Sequence, residues 1–139
     1  MMGVLKSQRI SPRLKNILHQ TQESLFTVQS HVANIMLSES FKVPDFNDKR
    51  TVEIEKIINN IERKLPPLKK FVISGINPSS AWLDLIRAKS RNVERTVLKI
   101  NGIDKLDQNI KTYLNRLSSL FFALARWEAR KTKEKNPTY

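Results

Sequence analysis

Cysteine is absent from the 139-residue chain, which excludes disulfides, thiolate metal sites and cysteine nucleophiles together. Histidine occurs only twice, as His19 and His31. A helix aligns that spacing only loosely, so both are expected to be surface or hydrogen-bonded groups and no metal ligand set is expected. The paired Glu-x-x-His motifs of di-iron bundles are missing. With 3 glycines and 6 prolines, collagen-like and low-complexity architectures are excluded and a turn-rich all-β fold is disfavoured. No G-x-x-x-x-G-K-[ST], G-x-G-x-x-G or G-x-S-x-G motif occurs. No apolar run approaches the roughly 18 residues of a membrane span, and residues 1–13 hold no apolar core of a signal peptide. A cytoplasmic protein forming one domain over residues 1–139 is expected, with 131–139 as a flexible tail. Acidic residues are the minority, 13 against 25 Lys and Arg, for a net charge of +12. That excess points to polyanionic partners: nucleic acid, anionic lipid or a phosphate-bearing small molecule.

Apolar residues recur every three or four positions, which predicts helix almost throughout. A first long helix runs from about Ser11 to Leu37, with Ser11 as N-cap and Pro12 at its first position. Leu14, Leu18, Leu25, Val28, Val32 and Ile35 form its stripe. A polar, proline-containing break covers 38–48. The second helix, about Asp48 to Lys64, carries Ile54, Ile57, Ile58, Ile61 and Leu65, and Pro66-Pro67 ends it. Residues 68–77 form a connector containing the apolar triplet Phe71-Val72-Ile73, placed across the bundle end. The third helix starts at Pro78-Ser79-Ser80 with a serine cap and carries Leu83, Ile86, Ser90, Val93, Val97 and Ile100. Asn101-Gly102 stops it. Asp104 is the expected cap of the fourth, whose stripe reads Leu106, Ile110, Tyr113, Leu117, Leu120, Leu124 and Trp127. Such stripes must be buried against one another, so the fold class is all-α: an antiparallel bundle of four main helices.

Two features are not accounted for by the core. Arg87, Arg91 and Arg95 recur at i, i+4 and i+8, placing three guanidiniums along one side of the third helix, with Glu94 spaced to pair with Arg91. One reading is a solvated basic face bridged to glutamates of a neighbouring helix. The other is a cradle for polyphosphate, because guanidinium forks match phosphate oxygens bidentately. Spacing does not choose between ATP, RNA and an acidic protein. In the fourth helix, Asn115, Arg116 and Ser119 interrupt an otherwise apolar run; the structural reading of Asn115 is a buried asparagine that fixes register.

The ordered set F-V-I-S-G at Phe71 to Gly75, A-W-L-D-L-I-R-A-K-S-R-N-V-E-R at Ala81 to Arg95, and Y-L-N-R-L-S-S-L-F-F-A-L-A-R at Tyr113 to Arg126 resembles the ATP:cob(I)alamin adenosyltransferases of the propanediol-utilisation (PduO) type. That family reads F-x-L-P-G-G, then A-x-L-H-x-A-R-x-x-x-R-R-A-E-R, then L-N-R-L-S-D-x-L-F. The preceding L-P-P-L-K-K-F and the first helix's L-H-Q-T-Q-E-S-L-F fit as well. The resemblance spans about Leu14 to Arg126. The departures are Ser74 and Ile76 in the P-G-G segment, Asn92 in R-R-A-E-R and Ser119 in L-N-R-L-S-D. Family members begin with a T-R-T-G-D-x-G segment that wraps the ATP phosphates, then a helix whose aspartate partners the arginine matching Arg87. This chain starts downstream of both and is expected to be a shortened form of the family's five-helix bundle.

The resemblance implies transfer of the 5′-deoxyadenosyl group from ATP to reduced cob(I)alamin, giving adenosylcobalamin and triphosphate. It implies a homotrimer with sites between subunits, Mg2+ accompanying ATP, and an electron-donating reductase as partner. By position, Arg87 and Arg91 would neutralise the departing triphosphate, and Glu94 and Arg95 would hold that set in place. Asn115 would contact the nucleotide sugar, and Phe71 would crowd the lower face of the corrin ring. A corrinoid-binding relative without ATP chemistry is the nearest alternative. A basic helical nucleic-acid binder is the other, although aromatics are only 7% of the chain and its basic residues are scattered over all four helices.

Overall fold

The computed structural model describes residues 1–38, 42–67 and 76–130. Among them are five α-helices, α1 (Met2–Lys6), α2 (Pro12–Met36), α3 (Lys49–Lys64), α4 (Pro78–Leu98) and α5 (Gln108–Ala129), and a 3₁₀ turn at Ile103–Lys105, with no strand. The connector triplet and the expected tail at 131–139 lie outside the described residues.

Helix α2 begins as its sequence dictates. Ser11 adopts extended backbone and its hydroxyl accepts from the Leu14 N–H, with Pro12 filling the first turn, where no N–H is needed. The cap of α4 is Asn77, one residue before the proline, and not a serine. Its side-chain oxygen accepts from the Ser80 N–H (2.9 Å) while the Asn77 N–H donates to the Ser80 hydroxyl (3.1 Å), a reciprocal capping box. At α5 the cap is Asp107, whose carboxylate accepts from the Asn109 N–H (2.8 Å). Asp104 falls instead in the 3₁₀ turn, set off by Gly102 at φ 82°. That left-handed backbone suits glycine, and it lets the chain reverse between α4 and α5.

Contacts at both ends fix the helix directions. Asn77, at the start of α4, donates through Nδ2 to the Glu128 carbonyl at the end of α5 (2.9 Å), so α4 and α5 are antiparallel. The buried Phe46, just before α3, packs edge-on against Tyr113 near the start of α5 (ring centroids 5.2 Å). Beyond the other end of α3, the Pro66 carbonyl accepts from Arg126 (3.0 Å); α3 and α5 therefore run parallel. Ile35, near the end of α2, meets Gly102, which sets α2 antiparallel to α5. The result is an up-down-up-down bundle. Half of α5, eleven of its 22 residues, is buried, marking it as the central helix.

The apolar stripes form one core containing Leu14, Leu18, Val28, Ile54, Ile58, Ile61, Leu83, Ile86 and the α5 series Ile110, Tyr113, Leu117, Leu120 and Leu124. Val93 is an exception at 47% exposed. It sits about 45° around α4 from the mean direction of Leu83, Ile86 and Val97. The N-terminal residues, for which the sequence predicts no helix, form α1, whose Leu5 is fully buried. Lys6 ties α1 to α2, donating from Nζ to Gln22 Oε1 (2.7 Å). Tyr113 is the polar element of the core. Burial pushes its phenol above the usual value, and hydrogen bonds with Ser24 and Thr21 oppose that shift.

Candidate functional site

The site is assembled on the outer groove between α4 and α5. Arg87 is half-buried on α4 and its guanidinium carbon lies 5.3 Å from the centre of the Phe122 ring on α5. One and two turns further along α4, on the same side, come Arg91 and Arg95, both exposed. Because α5 runs the other way, Ser118 and Asn115 lie one and two turns from Phe122 in the matching direction. Asn115 is exposed, so the buried register-setting asparagine does not occur here: the position is turned away from the core stripe, toward the side that carries the arginines.

The electrostatics of the row bear on the two readings of its spacing. Glu55 and Arg116 form an ion pair, and His19 meets the Glu23 carboxylate through Nε2 (3.0 Å). Neither involves Arg87, Arg91 or Arg95. The bridge from α5 to a neighbouring glutamate is made by Arg116, whose guanidinium spans to the α3 carboxylate through Nε and, at 3.5 Å, through a terminal nitrogen. The expected pairing of Glu94 with Arg91 is not formed; Glu94 is half-buried beside the row without an ion pair. Among the described residues, three guanidiniums thus share one side of a helix with no carboxylate bonded to them. Like charges so placed repel one another and add nothing to the helix. A bound polyanion would offset that repulsion with charge-assisted hydrogen bonds.

Phe71 lies outside the described residues. The two histidines are satisfied as expected. His19 accepts from Lys6 Nζ at Nδ1 (3.2 Å) and pairs through Nε2 with Glu23, and His31 donates through Nε2 to the Pro44 carbonyl (2.7 Å). Among the described residues no group of three or more His, Asp or Glu could hold a metal ion, and no helix is long and apolar enough to cross a membrane. Phe122 is the participant that sequence reasoning missed. The signal was available: Leu117, Leu120, Phe121 and Leu124 make the core stripe, whereas Phe122 stands seven positions from Asn115 and shares its side.

A helical bundle with a row of arginines along one helix, beside an exposed asparagine on the next, defines the class as an all-α bundle with a basic face. Sequence comparison narrows it: the family model described as cobalamin adenosyltransferase matches residues 1–128, and the chain belongs to that family. A corrinoid adenosyltransferase of Mus musculus is 34% identical over 94 residues, covering 68% of this chain and 40% of that protein. One from Citrobacter freundii is 28% identical over 127 residues, covering 91% and 72%. Among solved structures, a variant PduO-type ATP:corrinoid adenosyltransferase from Lactobacillus reuteri, complexed with cobalamin and ATP, superposes with a TM-score of 0.83 at 27% identity. That match covers 99% of this chain and 77% of that one. The chain spans about 40% of the length of the mouse relative.

Proposed function

We propose that the protein transfers the 5′-deoxyadenosyl group of ATP to cob(I)alamin, releasing triphosphate. The observation that carries this reading is the row Arg87, Arg91 and Arg95, held on α4 without carboxylate partners among the described residues in a chain of this family. When C5′ of the nucleotide is attacked by the reduced corrinoid, its bond to the triphosphate oxygen breaks and negative charge moves onto the leaving group. Donors fixed in advance where that charge develops lower the barrier. Arg87 and Arg91 fill this role, and Glu94 and Arg95 hold that arginine set in place. Asn115 offers an amide to the ribose. Phe71, by its motif, covers the lower face of the corrin ring and keeps a ligand from that side of cobalt.

Mg2+ enters this reading only as the ion that accompanies ATP. The described residues provide no carboxylate cluster to hold it. A homotrimer with sites between subunits and a reductase that supplies the electron complete the proposal, both from the family resemblance.

The test is anaerobic. Mixing the full chain with ATP and chemically reduced cobalamin is expected to produce the absorption spectrum of adenosylcobalamin, and sedimentation is expected to give three chains per particle. Cobalamin binding without ATP binding or turnover would overturn the transfer reading and leave a corrinoid-binding protein.

A further inference from the structure

The contact between Arg87 and Phe122 has no role in the reaction as described above. Arg87 is half-buried, and a guanidinium lying against a protein surface is commonly steadied by a carboxylate or by carbonyls that meet its N–H donors. Among the described residues neither is present. Its one side-chain partner is the Phe122 ring, with the guanidinium carbon 5.3 Å from the ring centre, inside the range in which a cation is drawn to an aromatic face. The chemistry of the two kinds of support differs. A carboxylate would cancel the positive charge and occupy the N–H fork. An aromatic ring attracts the cation through its quadrupole, takes no N–H···O bond, and leaves the formal charge intact.

We infer that Phe122 is a positioning residue: its ring holds the Arg87 guanidinium in one pose while leaving charge and donors free for the triphosphate. The inference rests on the function proposed above and deepens it. Phe122 itself touches no reacting atom. It acts through Arg87 by reducing the freedom that a long side chain would otherwise lose on meeting an anion.

The experiment replaces Phe122 in the full chain with 4-fluoro-, 3,5-difluoro- and 3,4,5-trifluorophenylalanine, which keep the ring's shape and progressively drain its negative face. Inorganic tripolyphosphate is the titrant, read by calorimetry. Binding is expected to weaken stepwise along the series, by about 2- to 10-fold in all. Phe122→Tyr should retain wild-type affinity, and Phe122→Leu should match the trifluoro form. In an Arg87→Ala background the series should be flat, a result that mere packing by Phe122 would not give. The Arg87 Nε–Hε resonance, shifted by the ring in the wild type, should move toward the free-arginine position in Phe122→Leu. A flat series in a protein that binds tripolyphosphate overturns the positioning role alone. Failure of the wild type to bind either tripolyphosphate or ATP overturns it together with the proposed function.

Discussion

Arg91 and Tyr113 represent two kinds of polar residue in this bundle, one kept out in solvent and one sealed in. Arg91 is exposed and makes no ion pair among the described residues, so removing it should cost little stability. Arg91→Ala is expected to abolish formation of adenosylcobalamin while far-ultraviolet circular dichroism and the melting temperature stay near wild type. Tyr113 is 2% exposed and its phenol is raised by burial. At pH 7, Tyr113→Phe should lose about 1 kcal/mol through the hydrogen bonds to Ser24 and Thr21. Because burial holds the folded-state value above the unfolded value near 10, the contribution of the buried neutral phenol is complete below pH 10 and is lost as pH rises through the folded value. Urea titrations of both proteins should therefore converge above pH 10. The arginine spacing was legible in the sequence because a helical repeat fixes which side each residue takes. The absence of glutamate partners was not, since it depends on what a neighbouring helix presents; α3 offers Glu55 to Arg116 instead.

The helices themselves were almost fully legible, since a stripe of isoleucine and leucine at intervals of three and four leaves no other regular structure able to bury it. Their ends were less so. Several capping residues stand close together before both α4 and α5, and sequence alone ranks Ser, Asn and Asp as near equals. Tertiary contacts make the choice. Asn77 both caps α4 and donates to the Glu128 carbonyl on α5, tasks divided between its side-chain oxygen and its amide nitrogen. Asn77→Ala should destabilise the fold by about 1–2 kcal/mol. Asn77→Asp keeps the acceptor and loses the donor, and should recover about half of that deficit in urea unfolding. Helix α1 was missed for a related reason: five residues cannot hold a helix by themselves, and α1 exists through the burial of Leu5. Leu5→Ala is expected to cost about 2–4 kcal/mol and to speed amide exchange in residues 2–6 before that of the bundle.

Charge is where the parts of the bundle fail to balance one another. The chain carries +12, and its 13 acidic residues could not neutralise its 25 lysines and arginines even if every one were paired. A compact body with so much charge of one sign works against its own repulsion. Sodium chloride should therefore raise the melting temperature as screening sets in, since the Debye length is about 10 Å at 0.1 M. Screening alone does not distinguish a merely solvated basic face from a phosphate cradle, because both gain from it. A site that binds tripolyphosphate in the folded state alone gains in addition RT ln(1 + [L]/Kd), about 2.7 kcal/mol at a hundred-fold excess over Kd. For a chain of this length that is roughly 10 °C. The comparison is made at matched ionic strength. Tripolyphosphate is expected to exceed sodium chloride by that margin in the wild type, and Arg91→Ala should lose most of the excess while keeping the response to sodium chloride. An equal tripolyphosphate response in the two proteins would mean that the anion meets diffuse charge, and that the row on α4 is no cradle.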